Sequence, residues 1–80
     1  MNKYHINVFY SEDDEGYIAD IPDLKYCSAF GETPEKALEE VLIASKIWLE
    51  VALESGREIP EARYKPETLR SADYSEVLVP

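Results

Sequence analysis

The side chains able to do chemistry lie in three places. These are four consecutive acids, Glu12-Asp13-Asp14-Glu15; the single histidine and single cysteine, His5 and Cys27; and Gly31-Glu32-Thr33, which leads into an apolar stretch. Four adjacent carboxylates suggest a hard cation, but a calcium loop spaces its ligands at alternate positions and closes with a distal bidentate Glu, and this run does neither. It reads first as a solvated turn, with contact to a basic partner as the functional alternative. His5 and Cys27 have the chemistry of a base and a nucleophile, yet no orienting acid or oxyanion loop is recognisable around them. Cys27 reads as a small packing residue and His5 as part of a solvated strand face. A helix start at Thr33 attracts anions, but no glycine-rich loop precedes it and Glu32 repels phosphate. The sequence therefore offers no catalytic residue, no metal ligands and no cofactor site.

The elements that position these residues follow from periodicity. Residues 3 to 10 alternate as a strand, with Tyr4, Ile6, Val8 and Tyr10 on one face and His5, Asn7 and Phe9 on the other. Ser11 to Gly16 is a hairpin loop in which Gly16 is expected to take positive φ. A second strand, Tyr17 to Ile21, stops at Pro22, which has no N–H to give a ladder. After the Asp23-Leu24-Lys25 corner, Tyr26 to Phe30 reads as a third short strand. Thr33 is the expected N-cap, Pro34 suits the first helical position, Glu35 suits the positive end of the dipole, and Gly56 is the expected left-handed stop. On the helix, Leu38, Val41, Leu42, Ser45, Trp48, Leu49 and Ala52 form the expected core stripe. A second apolar row, Ile43, Ala44, Ile47 and Val51, is the expected self-association surface, unless the C-terminal segment folds back over it. Beyond Ile59 the pattern weakens into an extended connection with a helical turn near Pro66 to Arg70, and recovers as a candidate strand over Tyr74 to Val79.

These elements define an α+β fold: an antiparallel three- to four-stranded sheet packed on one long helix, in the order β-β-β-α-β. Residues 1–60 form the domain and 61–80 a C-terminal extension without a separate DNA-binding domain. A chain of 80 residues buries a small core, so association, as a dimer or tetramer, is expected to supply part of its stability. Its net charge of −9 argues against autonomous nucleic-acid binding and favours a basic protein partner. The imbalance is concentrated in residues 1–56, which hold four Lys and twelve Asp or Glu. A lone cysteine and the lack of a membrane span or secretion signal fit a cytoplasmic protein.

The run from Glu15 to Leu38 resembles the HicB-like antitoxin family: a glycine-aromatic turn at Gly16-Tyr17, a Pro22-Asp23-Leu24 corner before Cys27, Gly31-Glu32-Thr33 at the helix start, Glu35-Lys36-Ala37-Leu38, and Trp48-Leu49 in the helix. The resemblance covers roughly residues 4 to 60. Where the family usually has Pro-Gly before the cysteine, this chain has Lys25-Tyr26, so a less sharp turn is expected.

The resemblance implies a partial ribonuclease H-like fold and a non-enzymatic protein that binds and neutralises a small basic mRNA-cleaving toxin of the HicA type. Residues expected to meet such a partner are Glu12, Asp13, Asp14, Glu15, Asp20, Asp23 and Tyr26. The alternatives are a solitary structural oligomer or binding module of unknown partner and, last, a residual metal-dependent nuclease. For that enzyme Asp20 is the one carboxylate inside an expected strand.

Overall fold

The computed structural model describes residues 3–65. The helical turn near Pro66 to Arg70 and the candidate strand at Tyr74 to Val79 lie outside the described residues. Three strands, β1 (Asn7–Ser11), β2 (Gly16–Asp20) and β3 (Ser28–Gly31), precede a single helix, α1 (Pro34–Glu54). The strands form an antiparallel sheet in the order β1-β2-β3. This is the α+β architecture expected from the sequence.

The sheet register sets which side chains share a face. Ala19 sits opposite both Val8 and Ala29, and Tyr17 opposite Tyr10 and Gly31, on the face that meets α1. Ala19, Ile21, Leu24, Cys27, Ala37 and Val41 form the buried core, with Tyr4, Ile6, Tyr17, Trp48 and Leu49 packed against it. Regular pairing begins at Asn7, later than the alternation from residue 3 suggests, although Tyr4 and Ile6 still point into the core.

The helix start follows its signals. Thr33 is extended (φ −129°) and its Oγ1 accepts from Lys36 N at 3.0 Å, with Pro34 and Glu35 in the first turn. At the other end, Gly56 (φ 76°) donates to Leu53 O at 3.1 Å and Arg57 N to Ala52 O at 2.9 Å. These paired bonds make a Schellman stop, with Gly56 in the left-handed conformation its missing Cβ permits.

The helix is rolled relative to the expected stripe. Ala37, Val41, Ser45 and Ala52 are buried, while Leu38 and Leu42, expected in the core, are exposed on the flank. The cause is Gly31. A Cβ added there would lie 2.2 Å from Ala37 N and 2.6 Å from Lys36 C, so strand and helix backbones touch where no side chain fits. Ala37 therefore faces the sheet at this first turn and Leu38 and Leu42 are carried to the side, while Trp48 and Leu49 still pack on the core farther along the helix.

Gly16 serves a different purpose from the one expected. Positive φ belongs to its neighbour Glu15 (54°), whereas Gly16 opens β2 beneath the Phe30 ring, whose Cε1 would sit 2.4 Å from an added Cβ. Gly16 therefore gives space to a cross-strand aromatic ring. Between the two glycines, Gly31 faces the less forgiving neighbour, because peptide backbone cannot swing aside as a ring can. We predict that Gly31→Ala destabilises the fold by about 3 kcal/mol or more. A urea midpoint within error of the parent would contradict that packing.

Candidate functional site

The candidate contact residues occupy two regions. Glu12, Asp13, Asp14 and Glu15 form the β1–β2 turn, all four exposed. Ser11 Oγ donates to Asp14 Oδ2 at 2.8 Å and Glu15 N donates to Glu12 O at 3.3 Å, so the turn is ordered by its own polar groups. No strand residue is Lys or Arg. The negative charge of the turn is therefore not offset within the sheet.

The second region is the corner between β2 and β3, built from two successive turns. Leu24 N donates to Ile21 O at 3.0 Å around Pro22-Asp23, and Cys27 N donates to Leu24 O at 2.9 Å around Lys25-Tyr26. Ile21 N then closes the loop on Cys27 O at 3.0 Å, and Trp48 Nε1 of α1 donates to Lys25 O at 2.9 Å. These bonds fix Tyr26 at φ 65°, the positive angle that the third position of a type II turn requires and that glycine usually supplies. The expectation of a blunter turn is thus corrected: four hydrogen bonds impose the tight geometry and the tyrosine accepts the strain. Its ring is 91% exposed, with Lys25 Nζ 5.4 Å from the ring centroid.

Asp23 and Asp20 are placed differently from Tyr26. The Asp23 carboxylate accepts from Arg63 N at 3.2 Å and Tyr64 N at 3.1 Å, and so ties residues 63–64 to the corner. Tyr4 Oη donates to Pro60 O, and the His5 and Tyr64 rings lie 5.1 Å apart, strengthening the same attachment. Burial and the Asp23 charge push the Tyr4 hydroxyl above its ordinary pKa, which keeps it a donor. Asp20 is half-buried at the end of β2, next to Cys27, whose thiol is pushed up first by burial and then by the Asp20 charge. A thiol held protonated is a poor nucleophile, in keeping with its place in the core. Among the described residues, no three His, Cys, Asp or Glu are placed to hold a metal ion, so Asp20 and the turn acids are not brought into one cluster.

The helix row is open. Ile43, Ile47 and Val51 are 52%, 55% and 45% exposed, while Ala44 is half-buried and packs against the core. The described part of the C-terminal segment goes instead to Tyr4, His5 and Asp23. Sequence reasoning missed a further surface, the row Phe9, Ile18 and Phe30 across the sheet face opposite α1. Its signal was Phe9 on the face that alternation assigned to polar residues.

The profile of the HicB-like antitoxins of bacterial toxin–antitoxin systems matches residues 4–80. The chain belongs to the HicB-like antitoxin family. A UPF0150 protein of Synechocystis sp. is 42% identical over 53 residues, covering 66% of this chain and 73% of the relative. No solved structure matches. Membership in the HicB-like family carries an antitoxin role in general, implies a toxin as partner, and points to binding rather than catalysis. Among the described residues no helix is long and apolar enough to cross a membrane.

Tyr26 has the clearest testable energetics in this HicB-like surface. A left-handed tyrosine costs about 1–2 kcal/mol, of which glycine gives back part through its freer unfolded chain. Tyr26→Gly is expected to stabilise the domain by about 0.5–1 kcal/mol. A lower unfolding midpoint in urea would show instead that the ring supports the corner.

Proposed function

We propose that this chain is an antitoxin that binds and neutralises a small basic, mRNA-cleaving toxin of the HicA type in the cytoplasm. The observation that carries this reading is the acidic surface: a net charge of −9, an exposed four-acid turn, and three strands without a single basic residue. A ribonuclease must present cations to hold RNA, and an acidic body of this kind competes for that surface by steering and complementarity. Asp20 and the exposed Tyr26 ring extend the contact, while Asp23 supports it by holding the corner to residues 63–64.

The test is calorimetric titration of the purified chain into the HicA-like protein of its own genome, with RNA cleavage followed in parallel. Stoichiometric inhibition is expected, with affinity falling roughly tenfold or more between about 0.05 and 0.5 M salt. Continued cleavage in the presence of excess chain would rule the reading out.

The chain is further proposed to associate with itself through Ile43, Ile47 and Val51, flanked by Ala44. The specific support is their contiguity and exposure on one side of α1, where Glu39, Lys46 and Glu50 supply charges of both signs. A surface of mixed sign does not repel its own copy as the sheet side does. Ile47→Glu is expected to reduce the mass measured by sedimentation to that of the single chain. An unchanged mass would place the contact elsewhere.

A further inference from the structure

The sheet has two faces and α1 covers only one. On the other, the register sets Phe9 opposite Ile18 and Ile18 opposite Phe30, one apolar side chain from each strand in a single line. Phe9 is 50% and Phe30 44% exposed, and Ile18 between them is half-buried. With neighbouring strands about 4.8 Å apart the row spans about 10 Å, the scale of a compact interface centre with a surrounding polar rim. The Phe30 ring lies over Gly16, where no side chain would fit, and Phe30 keeps nearly half of its surface exposed.

The charge around the row decides what fits it. The turn Glu12 to Glu15 lies at one end of the β1–β2 hairpin, Asp20 shares the face at the other, and exposed Glu32 follows β3. No basic residue lies in any of the strands. The nearest helical cation, Lys36, is engaged by Glu39 and Glu40, each at 3.4 Å. A second copy laid on this face would set two acidic rims against each other within a Debye length of about 8–10 Å. A partner with an apolar patch ringed by Lys and Arg would gain both burial and charge complementarity.

We infer that the Phe9–Ile18–Phe30 face, with its acidic rim, is the surface on which the basic toxin docks, leaving the helix row to self-association. This inference rests on the antitoxin reading and names the part of the molecule that carries it out. The aromatic pair anchors the contact, because truncating a central aromatic is the change most costly to an interface. The turn acids act mainly on the rate of encounter.

The experiment titrates the HicA-like protein with the parent chain, Phe9→Ser, Asp13→Lys/Asp14→Lys and, as a control for generic loss of exposed apolar surface, Leu53→Ser. Phe9→Ser is expected to weaken binding at least tenfold, the double lysine variant to slow association and flatten its salt dependence, and Leu53→Ser to bind as the parent does. Hydrogen exchange on the unmodified chain gives a second readout that needs no variant: protection on toxin binding is expected in β1–β3. If the parent binds but Phe9→Ser binds equally well, or protection falls on Ile43 to Val51 instead, the docking face is wrong while the antitoxin reading stands. If the parent neither binds nor inhibits, both fail. A drop in the chain's own mass on Phe9→Ser would assign the face to a second copy and overturn the inference.

Discussion

The closeness of Gly31 to the first turn of α1 governs the rest of the molecule. With a Cβ excluded by Ala37 N and Lys36 C, β3 delivers the chain straight onto the helix backbone, and Thr33 caps the helix within three residues of the contact. That proximity selects Ala37 and Val41 as the residues facing Ala19. It also turns Leu38 and Leu42 out to one flank, and leaves Ile43, Ile47 and Val51 out on the other. A bulkier residue at the junction would lift the helix away from the sheet and invite those leucines inward. Thus the contact that gives close packing also leaves apolar side chains of the helix exposed.

The core that results is narrow, and the corner loop completes it. Among the described residues only Ile21, Leu24 and Val41 are large, fully buried side chains, and two of them flank the Pro22-Asp23 turn. Trp48 holds that loop by donating to Lys25 O, while Asp23 gathers the N–H groups of residues 63 and 64. The strained φ of Tyr26 is a local cost of sealing the core at this end. The same bonds that stabilise Leu24 inside present Tyr26 outside, so packing and surface presentation at the corner cannot be separated.

Much of this was legible because local rules and tertiary structure agree. The hairpin, the stop at Pro22, the Thr33 cap and the Gly56 stop each rest on backbone chemistry that operates over a few residues. The acidic turn was legible for the same reason, since four charges in sequence have no interior to enter. Helix roll was not, because Ala37 and Leu38 are neighbours on the apolar arc and the choice between them is made by Gly31, which a helical wheel does not contain. The role of Gly16 is not legible locally, because Glu15 makes the turn and Gly16 answers to Phe30 on the adjacent strand β3. For Tyr26, the departure from the family's Pro-Gly pair suggests a looser turn, yet the bonds of Cys27 to Leu24 and Ile21 and of Trp48 to Lys25 O fix the angle. Alternation placed Phe9 on a face correctly but could not say that no described element covers that face.

Two apolar regions are exposed among the described residues, and the acids beside the sheet disfavour the approach of a like-charged surface. The order β1-β2-β3 leaves two edge strands among the described residues, and Val8, Phe9 and Tyr10 are consecutively exposed on one of them. Such an edge invites pairing with any extended chain unless something repels the approach. Lysine is a common guard on natural edges, but here the protection comes from the acids of the adjoining turn. That choice has a consequence lysine would not: a basic surface is drawn to the same place from which acidic copies are repelled. The same acids that repel a like-charged copy attract a surface of opposite sign.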